Sequence, residues 1–164
     1  MAEKQAKNKY CFDTDAFVSS WRMHYRPGVF EKLWEQLGTK IEDGSIIIPD
    51  EVRKEIGVGK DELVSWLKKY QSFIIQVSPK QIKIVREIVN KYPLVSQYKK
   101  PRPNHADPFV VAVAKIHSCT VVTYEIRNSS RDNPAVPDLC REYGVDCCSM
   151  IDLFEREGWR FNFT

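Results

Sequence analysis

The chain has 164 residues, 43% of them hydrophobic and 29% charged, which is globular composition and excludes a disordered or fibrous chain. Its 25 Lys and Arg against 22 Asp and Glu leave a net charge of only +3, so nucleic acid is not held by bulk charge and any such contact is confined to a local site. Five cysteines without a C-x-x-C pair argue against a zinc ribbon or a disulfide framework and suit reduced thiols in the cytosol. The longest apolar run, 109–114, is far shorter than the ~20 residues of a membrane span.

Residues 1–8 are polar and lysine-rich, and they read as a frayed tail ahead of a single domain over 9–164 rather than as a signal peptide. Residues 10–12 are a short apolar strand running into Asp13. Helical spacing of Phe30, Leu33, Trp34 and Leu37 predicts a helix over 29–37. Ile46, Ile47 and Ile48 are β-branched, stop at Pro49 and predict a buried strand. Helices follow over 51–56, ending at Gly57, and over 61–70, with Leu63, Trp66, Leu67 and Tyr70 on one face; a strand follows at 73–77. Ser78-Pro79-Lys80-Gln81 supplies a Ser cap, an N-terminal Pro and Gln at the third position, and opens a helix to about 92. Residues 97–104, with two prolines and three basic residues, form a loop.

Asp107-Pro108 opens the next helix, with Asp as the cap. Residues 109–116 are apolar almost all round, as in a buried helix. A strand is expected at 120–123, a helix at 137–143 closed by Gly144, a strand at 145–148, and a last helix from the Ser149 cap to 157, ended by Gly158. Trp159, Phe161 and Phe163 alternate with polar residues and present one aromatic face. Alternating strands and helices imply an α/β domain, its parallel sheet covered on both faces.

In such sheets function collects at the carboxyl ends of the strands, where strand order reverses. Asp13 and Glu125 each follow a strand, Asp107 stands where a buried helix begins, and Glu55 ends the helix 51–56. Four acids from separate apolar segments, brought together, repel unless a hard divalent cation joins them. Mg²⁺ or Mn²⁺ in such a site activates water for in-line displacement at phosphorus. Each acid also has a plain structural use as a turn or cap residue. Asp15 fits either a supporting role at the site or a helix cap. His105, two residues before Asp107, is a candidate substrate contact, whereas His24 and His117 carry no constellation. Lys99, Lys100 and Arg102 are candidate guides for a phosphate backbone.

Phe12-Asp13-Thr14-Asp15, Ile48 to Ile56, Ala106-Asp107-Pro108-Phe109 and Val121 to Glu125 together resemble a PIN-like nuclease. The resemblance is closest to a prokaryotic PIN-like family of unknown function related to VapC-type toxins. It covers about 9–163. It implies a three-layer α/β/α fold with a central parallel sheet and a Mg²⁺- or Mn²⁺-dependent endoribonuclease. The implied partners are an RNA substrate and a cognate antitoxin, a homodimer is compatible with it, and no membrane is involved. Residue by residue, it implies Asp13, Glu55, Asp107 and Glu125 as the catalytic and metal-binding acids. Thr14, Asp15, His105 and Thr123 become supporting or substrate-contacting residues. Asp15 stands where Asn is common in the family, and Glu125 is longer than the usual Asp.

Two other readings compete. Asp13-Thr14-Asp15 after a strand resembles the D-x-D motif of haloacid-dehalogenase-type phosphatases, with Asp13 as nucleophile and Asp15 as acid/base. A catalytically inactive PIN-like module for protein contacts is the other.

Overall fold

A computed structural model describes residues 7–97 and 106–163. Five short strands, β1 (Tyr10–Phe12), β2 (Ile46–Pro49), β3 (Ile74–Ile75), β4 (Thr120–Val122) and β5 (Cys147–Cys148), form one sheet in the order β3-β2-β1-β4-β5. Every pairing is parallel, with Cys11 beside both Ile47 and Val121. Helices cover the sheet as α/β/α layers, as the alternation of strand and helix signals predicts.

The strand order fixes where a site belongs. From central β1 the chain steps outward to β2 and β3, then crosses back to β4 and β5 on the other side. The reversal therefore falls between β1 and β4, and the carboxyl ends of those two neighbours are where sheets of this kind place a ligand site. Asp13 follows β1 and its amide donates to the Val122 carbonyl at 3.0 Å, which sets it next to the chain leaving β4.

The helices are α1 (Thr14–Ser19), α2 (Glu31–Glu42), α3 (Asp50–Gly57), α4 (Glu62–Lys68), α5 (Pro79–Lys91), α6 (Pro93–Gln97), α7 (Asp107–His117), α8 (Val136–Glu142) and α9 (Met150–Arg156). The local signals at 78 and 149 hold: Ser78 with Gln81, and Ser149 with Asp152, make reciprocal capping boxes. Gly144 and Gly158 follow α8 and α9 with φ of +65° and +68°, where a side chain would be strained. Helix α7 carries Val110 to Ala114 fully buried between β1, β4, α5 and α8, so its all-round apolarity is core packing.

Several expectations need correction. Helix α2 starts at Glu31, because Val29 and Phe30 close a turn on the Arg26 carbonyl, and it continues to Glu42. The strand at 73–77 shrinks to Ile74–Ile75, preceded by a 3₁₀ turn at Gln71–Phe73. The cap of α7 is Ala106, so Asp107 is the first helical residue and Pro108 the second. Helix α1 had no apolar period to reveal it; it runs into a π-helical turn at Ser20–His24, closed by the Tyr25 amide on the Ser20 carbonyl. Helix α6 likewise gave no signal beyond Pro93. Lys7 pairs with Asp43, and Asn8 donates to Glu157, so the expected tail 1–8 makes contacts at its end. The basic loop residues Lys99, Lys100 and Arg102 lie outside the described residues.

An aromatic cluster ties the first half of the chain together. The rings of Trp34 and Trp66 lie 5.1 Å apart, and Trp21 lies 4.6 Å from Trp34. Phe154 of α9 stacks on Trp159 and meets Phe161 edge-on, so the C-terminal aromatic face packs as expected up to Phe161, whereas Phe163 is fully exposed.

Candidate metal centre

Three acids converge at the switch point, where β1 and β4 end. One carboxylate oxygen from each of Asp13, Asp107 and Glu125 lies within 4.8 Å of the others. Asp13 and Asp107 are buried, and Glu125 is partly so. Each arrives from a different element: Asp13 leaves β1, Asp107 begins α7, and Glu125 follows β4. The positive end of the α7 dipole favours charge on Asp107.

Asp13 and Glu125 are held by specific contacts. Asp13 caps α1, accepting from the Thr14 amide at 2.7 Å, while its other oxygen accepts from the Thr123 hydroxyl at 2.9 Å. Glu125 accepts from the Val136 amide at the start of α8 at 2.9 Å, and its own amide donates to Thr123 Oγ1 at 3.1 Å. The longer Glu side chain thus spans from β4 to the first turn of α8.

Unscreened, this arrangement is unfavourable. Two like charges 4.8 Å apart repel by at least about 3 kcal/mol at an effective dielectric near 20. Burial, and then the charges of Asp107, Asp15 and Glu125, push the Asp13 carboxyl well above the usual carboxylate range, with the Thr123 hydrogen bond opposing. A proton or a cation must relieve the repulsion. An all-carboxylate oxygen set of this kind fits a hard divalent cation such as Mg²⁺ or Mn²⁺ rather than a soft one.

The sequence placed four acids at one site; Glu55 does not join the other three within that distance. Its carboxylate accepts from the Thr14 hydroxyl at 2.5 Å and from the Ala106 amide at 2.9 Å. Those two residues precede or follow an acid of the group by one position, so Glu55 braces the segments that carry Asp13 and Asp107. Thr14 is thereby a partner of Glu55. Asp15 is not the cap of α1, which is Asp13: it accepts from the Tyr124 amide at 3.1 Å and lies 3.2 Å from Thr123 Oγ1. His105 lies outside the described residues. Asp138, read as a first-turn acid of α8, binds the Ala135 and Asn128 amides and Arg127, and so shapes the loop that follows Glu125.

Sequence reasoning missed an aromatic pair built on Tyr124, the residue between Thr123 and Glu125. The Tyr124 hydroxyl hydrogen-bonds Ser20 at 2.8 Å, and the His24 ring stacks on Tyr124 at 4.8 Å. Burial pushes the Tyr124 phenol up to about 12, so it stays neutral. Neither Ser20 nor His24 carries a periodic signal, because they sit in the π-helical turn.

Comparison with solved structures agrees with this architecture. VapBC2 from Rickettsia felis, in a crystal structure bound to a DNA fragment from its promoter, superposes with a TM-score of 0.51 at 17% identity, over 85% of this chain and 97% of that one. FitAcB from Neisseria gonorrhoeae gives 0.46 at 16% identity, over 84% and 95%. The fold assignment rests on the first: the fold is PIN-like, similar to that of VapBC2. No curated protein matches the chain significantly. A family model described as a domain of unknown function, DUF4411, matches residues 10–161, and the chain belongs to that family.

Proposed function

We propose that this protein is a metal-dependent endoribonuclease acting in the cytoplasm as the toxin of a toxin–antitoxin pair. The observation that carries the reading is the convergence of Asp13, Asp107 and Glu125 within 4.8 Å at the reversal of strand order. Those three would hold Mg²⁺ or Mn²⁺, with Glu55 bracing them from α3. A divalent cation there supplies activation of water and neutralisation of charge at the scissile phosphate.

The chain's own residues do the rest. Thr123 orients Asp13 and positions the Glu125 backbone through one hydroxyl. Glu55 fixes the starts of α1 and α7 relative to each other. Asp15 accepts the Tyr124 amide and so ties the start of α1 to the segment leaving β4. A cognate antitoxin and a homodimer belong to the same proposal, by analogy of fold.

Metal binding tests the reading separately from activity. Mn²⁺ added to metal-free protein should raise its melting temperature, because a ligand bound only to the native state stabilises it. Asp107→Asn should lose most of that rise. An unchanged melting temperature for the unsubstituted chain at millimolar Mn²⁺ would instead favour the inactive module.

A further inference from the structure

The π-helical turn and the chain leaving β4 build an aromatic step at the edge of the acid site. Tyr124 lies between Thr123, which holds Asp13, and Glu125, a member of the three-acid group. Its amide is fixed by Asp15 and its hydroxyl by Ser20, so the ring position is set at both ends. His24 lies on the ring face, with centroids 4.8 Å apart and planes inclined by 26°. Ser20 and His24 thus hold one ring, by its edge and by its face, from the two ends of the same turn. A π-helical turn is rare and often marks a functional position. This one carries His24 exposed, flanked by Met23, which is 69% exposed. Beyond Glu125, Ile126 is 82% exposed, and Tyr124 and Glu125 line a groove with Arg127 and Arg141.

An exposed flat ring, backed by a fixed Tyr124 ring whose residue lines a groove with Glu125, Arg127 and Arg141, matches a nucleotide chain better than a protein side chain. A nucleobase offers a π face to the imidazole, while its phosphates are drawn to the arginines and to a cation held by the acids. We propose that the His24–Tyr124 stack seats one nucleobase of a single-stranded RNA whose scissile phosphate lies at Asp13, Asp107 and Glu125. This rests on the nuclease reading and adds a base-binding subsite to it. Stacking accepts any base, so the subsite sets the register of the strand and not its sequence.

The test is steady-state cleavage of a short single-stranded RNA by the full chain in Mn²⁺. His24→Ala should raise KM about tenfold while leaving kcat within about twofold, the range expected for loss of one stacked base. His24→Phe, which keeps a flat ring, should restore KM. In a series of RNAs with single abasic nucleotides, one position should raise KM for the unsubstituted enzyme and have no further effect on His24→Ala. Cleavage by the unsubstituted chain with an unchanged KM for His24→Ala overturns the subsite and leaves the nuclease reading standing. A loss that Phe does not restore also overturns it, because it marks His24 as a structural or proton-transferring residue. No Mn²⁺-dependent cleavage by the unsubstituted chain overturns both.

Discussion

The Thr123 hydroxyl donates to the Asp13 carboxylate at 2.9 Å across a separation of 110 residues, and the same oxygen accepts the Glu125 amide at 3.1 Å. One side chain thus joins two of the three converging acids. Thr123→Val keeps the shape and removes the hydroxyl, leaving the Glu125 amide and one oxygen of Asp13 without this partner. Loss of such a supporting partner weakens metal affinity by roughly 10- to 100-fold. Mn²⁺ titration by calorimetry should show that loss for Thr123→Val and near-normal binding for Thr123→Ser.

The raised proton affinity of Asp13 has a direct consequence for stability. Its carboxyl is raised in the folded protein above its unfolded value of about 3.9, so between the two the native state binds more protons than the unfolded state. Stability of the metal-free protein therefore falls as pH rises from the ordinary carboxylate range through the raised value. Asp13→Asn removes this titration. Denaturant unfolding in a chelator should find Asp13→Asn more stable than the unsubstituted chain at pH 8, with the difference shrinking towards pH 4.

Glu55 should act on stability as well as on the site. It is buried and accepts from two donors that precede or follow an acid of the group. Glu55→Ala leaves the Ala106 amide and Thr14 hydroxyl unsatisfied, at a cost of about 1–3 kcal/mol for each such buried group. Denaturant midpoints should fall accordingly, and Mn²⁺ binding should weaken with them.

Gly38 in α2 faces Tyr70. A Cβ there would lie 2.0 Å from the Tyr70 hydroxyl oxygen and 2.6 Å from its ring carbon. Gly38→Ala is favourable for helix propensity, yet the ring must move, and overpacking of this kind typically costs about 1–3 kcal/mol. Thermal unfolding should show net destabilisation, reduced when Tyr70 is shortened to Ala in the same chain.

The sequence carried the site further than its supports. Asp13, Asp107 and Glu125 were legible because each follows a strand or begins a helix with a clear signal of its own: the apolar run 10–12, the Asp-Pro start and the β-branched run at 120. Glu55 was placed with them as the acid that ends the helix 51–56, and nothing in its spacing distinguishes a carboxylate joining the group from one spent on Thr14 and Ala106. Asp107 was expected to cap α7; as its first residue it joins the other acids, with Ala106 at the cap position. The grouping of Ser20, His24 and Tyr124 was hidden for a physical reason. A π-helical turn breaks the 3.6-residue period, and α1 before it is only six residues long, too short to show a stripe. Five strands of two to four residues likewise left the sheet order to tertiary packing.

Cleavage of a defined single-stranded RNA by the purified chain, with and without Mn²⁺, tests the central claim most directly when Asp13→Asn and Asp107→Asn are run beside it. The account predicts cleavage by the unsubstituted chain only with the metal, and a fall of at least about 100-fold in kcat for either variant, the scale of losing one preorganised electrostatic contact to the transition state. Full activity in both variants, or no cleavage by the unsubstituted chain at any Mn²⁺ concentration, would contradict it.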